Sequence, residues 1–379
     1  MKIRVLHCIE TISSGGVEKV RLTLIRGLDK EKFEHKIVCT WEGGAIANDL
    51  KEEGVELIPI GAFKHPFHYF KHKQVLKIIK TFNPHIIHGA IFEGMSMAAI
   101  SGFIGGVPIR ILEETSDPLM RTNRAILIQK MFLMISDIII GVSPSVVKYL
   151  AERAKLSKKK IVEIYNGVDQ PIFSTIQTIK ELRRNLGLKE GDIIIGSVGR
   201  MFNEVKRFTD ILDAIKVINN ASIKILIVGD GPDRTLISDY AMKIGLASQF
   251  ISVGFQNNTS DYYRLMDIFC IASAHEGFGL VAVEAMMHKL PVIATEVGGL
   301  KDIVVDGITG FLVPSRSPQS IANNIAALIQ NPELRLRFGE AGYLRASENY
   351  SAARYCEQIE NLYYTLLDQK GIVPNTFSN

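Results

Sequence analysis

The chain has little of what marks several large classes of protein. Its 379 residues hold four cysteines, Cys8, Cys39, Cys270 and Cys356, far apart and never as C-x-x-C. Neither a disulfide framework nor a zinc site is indicated, and a reducing, cytoplasmic setting is expected. No apolar run reaches the ~18 residues that a membrane span needs, and MKIRVLHCIE alternates like a first strand rather than a signal peptide. A soluble or peripheral protein is expected. The net charge of +4 is small, and no module interleaving aromatic and basic residues for base stacking is visible, so no nucleic-acid partner is expected. There is no D-x-D motif and no His/Asp cluster at metal-ligand spacing, so no metal site is expected.

What is present is alternation. Short apolar runs exchange with helical patterns along the whole chain, the signature of an α/β protein with parallel sheets wound by crossover helices. The first half supplies candidate strands at 3–9, 36–41, 55–60, 85–91, 108–114 and 137–143, and the second half at 192–199, 223–230, 250–255, 267–273 and 291–295. Each set makes a Rossmann-like sheet. The length is too great for one ordinary core. The segment NGVDQPIFSTIQTIKELRRNLGLKEG has turn residues and a helix but no strand pattern, which puts a hinge near Val168–Phe173. The expected domains are 1–170, 171–351 and a terminal piece 352–379, whose last residues, GIVPNTFSN, are expected to fray.

The most informative stretch is SAHEGFGLVAVEAMMHKLPVIATEVGG. A buried strand, DIFCIAS, leads through Gly277 and Gly279 into a helix that Pro291 ends, with Glu276 before the turn and Glu284 eight residues on. Free N–H groups at a helix start attract anions, and glycines let a phosphate approach. A carboxylate on each side suits a ligand with hydroxyls at both ends of a diphosphate, such as a nucleotide-sugar. Departure of a diphosphate also requires positive charge placed in advance. Arg200 ends the strand SVGR, and Lys206 follows six residues later.

The pattern EGFGLVxxEAM followed by PVIAT and Gly298-Gly299 resembles the donor-site signature of retaining GT-B glycosyltransferases of family 4, and the similarity extends over most of the chain. The resemblance implies two Rossmann-like domains facing a cleft, with the last helix crossing back to the first domain. It implies that Glu276 contacts the transferred sugar, Glu284 the ribose hydroxyls, and Arg200 and Lys206 the diphosphate, with Gly277, Phe278, Gly279 and Leu280 lining the donor. Lys206 is followed by Arg207 where relatives usually have glycine, and spacing favours Lys206 as the cation. Gly15 and Gly16 in GGVE match the family's N-terminal loop. VGDGP with Gly229, and VGF with Gly254 and Phe255, resemble loops that hold the nucleotide half, and Asn166–Asp169 resembles an interdomain NGVD turn.

The chain departs from the family pattern in the first domain. His88 stands where relatives often have H-x-H, but the second place is Ala90; an acceptor-side role and a satisfied strand-end histidine are equally open. Relatives commonly place a histidine at the end of the strand after VP, and here ILEETSDP carries Glu113 and Glu114. Strand alternation sends the two to opposite faces. Counting from Pro108 makes Glu114 the cleft-facing catalytic candidate, with Glu113 on the acceptor side. Between Phe63 and Phe82 there are five lysines, three histidines and no acid, interleaved with apolar residues. Such a basic amphipathic helix, at 64–80, is able to lie on an anionic membrane, and a surface helix with a solvated lysine face is the competing reading.

The expected activity is therefore metal-independent transfer of a hexose from a UDP- or GDP-sugar to a glycan or lipid-linked acceptor in cell-surface polysaccharide assembly, with retention. No cofactor is expected, the nucleotide-sugar being a substrate. The competing readings are a catalytically silent nucleotide-sugar-binding partner subunit and a GT-B fold epimerase. A phosphorylase of this fold would carry a pyridoxal phosphate lysine, for which no motif is found.

Overall fold

The computed structural model describes residues 2–115 and 122–372. The end of ILEETSDP and most of the GIVPNTFSN tail lie outside the described residues. The chain divides into two compact units, one formed by Met1–Asp169 with Ser351–Asn379 and the other by Gln170–Tyr350.

Fifteen strands occur among the described residues: β1 Ile3–Cys8, β2 Thr11–Ile12, β3 Phe33–Cys39, β4 Trp41–Glu42, β5 Glu56–Pro59, β6 Ile86–Ala90, β7 Ile109–Glu114, β8 Ile138–Gly141, β9 Ile161–Glu163, β10 Ile193–Val198, β11 Ile223–Val228, β12 Phe250–Ser252, β13 Ile268–Ile271, β14 Val292–Thr295 and β15 Gly310–Val313. The first unit holds a sheet in the order β5-β3-β1-β6-β7-β8-β9, the second one in the order β12-β11-β10-β13-β14-β15, and β2 with β4 makes a small ribbon. The pairings are parallel throughout. Parallel sheets need helices on both faces, which is why central strands such as IFCI and VIAT are apolar without alternation and wholly buried. In the second unit, Ile195, Ile225, Ile227 and Ile293 pack against Phe208, Ile211, Ile215 and Ile325 from the flanking helices.

Strand order reverses between β1 and β6 in the first sheet and between β10 and β13 in the second. Ligands of open α/β sheets bind beyond the carboxyl ends of strands at such a reversal. In the second unit the loops that begin there are Gly199–Phe202 and Ala272–Gly279. The long helix Ala352–Gln369, at the end of the chain, packs on the helix Gly16–Gly27 of the first unit. Gly27 permits the close approach, since a Cβ there would lie 2.3 Å from Cys356 Sγ.

The lysine-rich segment forms the helix Tyr69–Phe82, but its apolar face is not available to a bilayer. His72, Val75, Ile79 and Phe82 are buried, and His72 Nδ1 lies 2.9 Å from Ser101 Oγ within the same unit. The seam that reads as a membrane face is spent on packing, and Lys73, Lys77 and Lys80 form the solvated side. Of its large apolar side chains, Phe67, Tyr69 and Phe70, around its start, are exposed.

Candidate functional site

At the reversal of the second sheet, β10 ends in Val198 and the chain turns through Gly199, whose φ of +153 suits glycine. A Cβ on Gly229, at φ +138, would lie 2.0 Å from the Gly199 carbonyl oxygen. The Gly229 N–H donates to the Gly254 carbonyl at 2.8 Å, and Gly199 N–H to Val228 at 3.0 Å. The turns after β10, β11 and β12 thus stack directly on one another. A side chain at 229 would force them apart, while at 199 and 254 the positive φ of +153 and +72 is the reason for glycine. Arg200 is exposed at this edge, and so is Phe255.

Past Arg200 a single helical turn, Asn203–Lys206, aims Lys206 across the reversal. Its Nζ lies 2.5 Å from Glu276 Oε2. The Ala274 N–H donates to the Val205 carbonyl at 2.7 Å, so the two loops are joined by backbone as well as by charge. Glu276 Oε2 also accepts from Ser273 Oγ at 3.2 Å, while Thr295 Oγ1 donates to the Ser273 carbonyl at 2.6 Å. Arg207 adopts φ +53, the left-handed region that glycine tolerates best, which explains the glycine usual there. Its guanidinium is engaged by Asp210 at 2.6 Å, leaving Lys206 as the cation that reaches Glu276.

The turn into the next helix rests on Gly298 and Gly299. A Cβ on Gly298 would lie 1.6 Å from the Glu276 carbonyl oxygen, and one on Gly299 2.5 Å from that of Phe278. Phe278 is buried with its ring edge against Tyr350. Gly279, at φ +112, precedes the helix Leu280–Met287. Glu284, in its second turn, is largely buried, and its Oε2 accepts from Tyr263 Oη at 2.9 Å. The site therefore presents a fixed carboxylate–ammonium pair on one side of a helix start and a second carboxylate on the other. That arrangement matches hydroxyl groups at two ends and anionic oxygens between them.

In the first unit the titratable residues singled out by the sequence, His88, Glu113 and Glu114, are buried. Glu18, third in the helix Gly16–Gly27, is buried. Its carboxyl group turns back on the Glu18, Ser13 and Gly15 backbone and on Thr11, so the helix start beside Gly15 and Gly16 is already engaged by a side chain of its own helix. Burial raises the Glu18 carboxyl above its ordinary range against those hydrogen bonds. Glu113 and Glu114 do take opposite faces of β7, but both faces are covered and both carboxylates are buried. Glu114 is bonded by Gln129, which in turn accepts from Tyr149 Oη at 2.8 Å. Glu114 as a cleft-facing catalytic group and Glu113 as an acceptor contact are thus corrected, because a central strand in a doubly covered sheet has no solvent face.

His88 is likewise fully buried. Its Nδ1 accepts from Arg21 Nη1 at 3.1 Å and lies 2.8 Å from Tyr363 Oη, while Nε2 faces Glu113 Oε2 at 3.2 Å. Arg21 Nη2 donates to the same Glu113 oxygen at 2.8 Å. Burial pushes Glu113 up, but Arg21 and His88 outweigh it and hold the carboxyl at about 2. Burial and then Arg21 lower His88 to about 4, so the imidazole is neutral, with its proton on the nitrogen facing Glu113. His7 and His35 extend the group, with Nε2 and Nδ1 3.1 Å apart. This is a structural network, not an acceptor contact.

Sequence reasoning passed over three groups. Tyr263 is one, hidden in an ordinary helical pattern. At the first sheet's reversal stand Glu10 and Glu93, each beyond the end of a strand, and burial together with Glu93 and Glu18 raises the Glu10 carboxyl. Between β6 and Glu93, Ile91 has φ +63, a costly conformation for a β-branched residue at about 1–3 kcal/mol. Position relative to strand ends was the signal available for the acids; backbone strain has none.

Two Rossmann-like domains, the second with a glycine-lined loop carrying Arg200 and Lys206 at its sheet reversal, define the GT-B fold class. HepE of Anabaena, solved with UDP and glucose, is 19% identical with a TM-score of 0.84, covering 96% of this chain and 100% of that one. Sucrose-phosphate synthase from Thermosynechococcus elongatus is 20% identical with a TM-score of 0.80, covering 97% of this chain and 100% of that one. Residues 14–170 match Glycosyltransferase Family 4 and residues 178–345 match Glycosyl transferases group 1. Each half of the chain is thus similar to a glycosyltransferase family, the second to the glycosyl transferases of group 1. The capsular polysaccharide biosynthesis glycosyltransferase CapM of Staphylococcus aureus is 27% identical over 85% of this chain and 88% of its own length. The N-acetyl-alpha-D-glucosaminyl L-malate synthase of Bacillus anthracis is 28% identical over 61% of this chain. That match spans 60% of the relative's length.

Proposed function

We propose that the protein transfers a hexose, with retention, from a UDP- or GDP-sugar to a glycan or lipid-linked acceptor in cell-surface polysaccharide assembly, without a metal ion. The observation that carries the reading is the Lys206–Glu276 pair at the sheet reversal, with Glu284 beyond the same helix start. In this reading Lys206 and Arg200 offset the charge that develops on the departing diphosphate. Glu276 takes the hydroxyls of the transferred sugar and Glu284 those of the ribose. Gly277, Phe278, Gly279 and Leu280 form the wall between them, and Gly229, Gly254 and Phe255 border the nucleoside. With no carboxylate nucleophile identified, retention proceeds by front-face displacement, the leaving phosphate accepting the acceptor's proton.

UDP bound to HepE and the capsule assignment of CapM support this choice of donor and pathway. Attachment to an anionic membrane rests on Phe67, Tyr69 and Phe70, exposed beside Lys64, Lys73 and Lys77. The test is transfer of a radiolabelled sugar from UDP- and GDP-sugar panels to lipid and glycan extracts. A labelled product with donor-dependent formation is expected. Tight nucleotide binding with neither transfer nor slow donor hydrolysis would instead identify a silent partner subunit.

A further inference from the structure

Tyr263 is wholly buried at the end of the short helix Ser260–Tyr263, just before β13. Its ring stacks on His288 with centroids 4.8 Å apart and leans on Phe269 at 5.7 Å. His288 is itself fixed at both nitrogens, with Nε2 2.8 Å from Ser260 Oγ and Nδ1 2.7 Å from the Glu284 carbonyl. The phenol is therefore immobile, and its hydroxyl points at Glu284 Oε2 at 2.9 Å, with the Val281 carbonyl at 3.3 Å. A glutamate's last torsion, between sp³ and sp² carbon, is broad, so without such a donor the plane of its carboxylate is poorly defined. A carboxylate has about four acceptor positions, and the phenol occupies one.

Resting on the reading of Glu284 as the ribose contact, we infer that Tyr263 is a positioning residue for donor binding: its hydroxyl fixes the plane of the Glu284 carboxylate so that the ribose diol meets it in one geometry. Burial first, and then Glu284, keep the phenol protonated far above its ordinary range, so it acts as a donor at every working pH. The role is not catalysis, since Tyr263 reaches the ligand only through Glu284.

The test is calorimetry of wild type, Tyr263→Phe and Glu284→Ala with UDP and GDP and with their 2′,3′-dideoxy forms. For the preferred base, the wild type is expected to bind the diol form more tightly than the dideoxy form by about tenfold to a hundredfold, the range for hydrogen bonds to a charged acceptor. Tyr263→Phe is expected to reduce that ratio severalfold while leaving affinity for the dideoxy nucleotide unchanged, which also shows that the variant is folded with its phosphate and base contacts intact. If Glu284→Ala abolishes the ratio but Tyr263→Phe preserves it, or if Tyr263→Phe weakens both ligands alike, the positioning role is overturned and the ribose role of Glu284 stands. If the wild type does not discriminate, the ribose reading itself fails and the inference with it.

Discussion

Lys206 Nζ and Glu276 Oε2 lie 2.5 Å apart across the strand reversal, both only partly exposed. The pair couples the loop that would hold the leaving group to the loop that would hold the sugar. Removing the ammonium would take away a charge stabiliser and also leave Glu276 without its cation. Lys206→Ala is expected to lower kcat/KM by about 10²–10³, the scale for one transition-state donor. Steady-state kinetics with the donor identified by the panel checks this, and an effect below tenfold would remove Lys206 from the chemistry.

Turnover is expected to survive EDTA. The motivation is the Lys206 ammonium held by Glu276 at the sheet reversal and the lack of any D-x-D motif. Activity lost on chelation and restored by Mg²⁺ or Mn²⁺ would show that the lysine does not carry the charge alone.

The two carboxylates should separate in binding experiments. Glu284→Ala is expected to weaken free UDP or GDP by about tenfold or more, as loss of hydrogen bonds to a charged group predicts. Glu276→Ala should leave the free nucleotide nearly unchanged and weaken only the intact donor. Equal effects on the nucleotide alone would contradict the split.

The first unit should be acid-sensitive. His35 and His88 hold folded values of about 4, and burial puts His7 well below its ordinary 6.5. Between pH 6.5 and 4 the unfolded chain takes up protons that the folded histidines refuse, so unfolding free energy falls as pH falls through that window. The stabilisation of Glu113, present above 4.5, is then lost as pH falls towards 2. Thermal melts from pH 7.5 to 4 are expected to show a steep decline, made shallower by His7→Asn with His35→Asn. At neutral pH, Arg21→Met leaves Glu113 buried without its guanidinium and is expected to cost about 3–5 kcal/mol. A loss under 1 kcal/mol in denaturant titration would mean that the network relaxes.

Membrane attachment, if it rests on the aromatics at the start of the lysine helix, has a distinct signature. Flotation with anionic liposomes should weaken with salt, because each basic residue near the surface contributes about 1 kcal/mol that screening removes. Phe67→Ser with Phe70→Ser should weaken it further without altering nucleotide binding. Flotation indifferent to salt, lipid charge and both substitutions would exclude this surface.

The sheets were readable because parallel strands buried on both faces leave unbroken apolar runs, and the eleven anticipated segments all contain or overlap observed strands. Ile161–Glu163 and Gly310–Val313 were not anticipated. Each is an edge strand only three or four residues long and partly exposed, too short for its apolar residues to stand out as a strand pattern. The glycine turns and the charged pair at the second sheet's reversal were legible because glycines and charges at a strand end have few other uses. Glu113 and Glu114 were not: alternation predicts which side of a strand a residue takes but not whether a helix covers that side. The basic helix is a related case, since an amphipathic stripe looks the same whether protein or lipid covers it.

The pairing of Val168 with Ser351, reinforced by the Ala352 N–H to the Val168 carbonyl at 3.0 Å, has a consequence for how the molecule is made. The chain leaves the first unit and re-enters it at one point, so the second unit is an uninterrupted insertion whose ends are adjacent. During synthesis, with N-terminal segments emerging first, the inserted unit has its complete sequence while the first still waits for the helix Ala352–Gln369 and the Tyr363 hydroxyl beside His88. Arg21, His88 and Glu113, in the part of the chain translated first, thus gain their full set of partners only once the helix Ala352–Gln369 has been made.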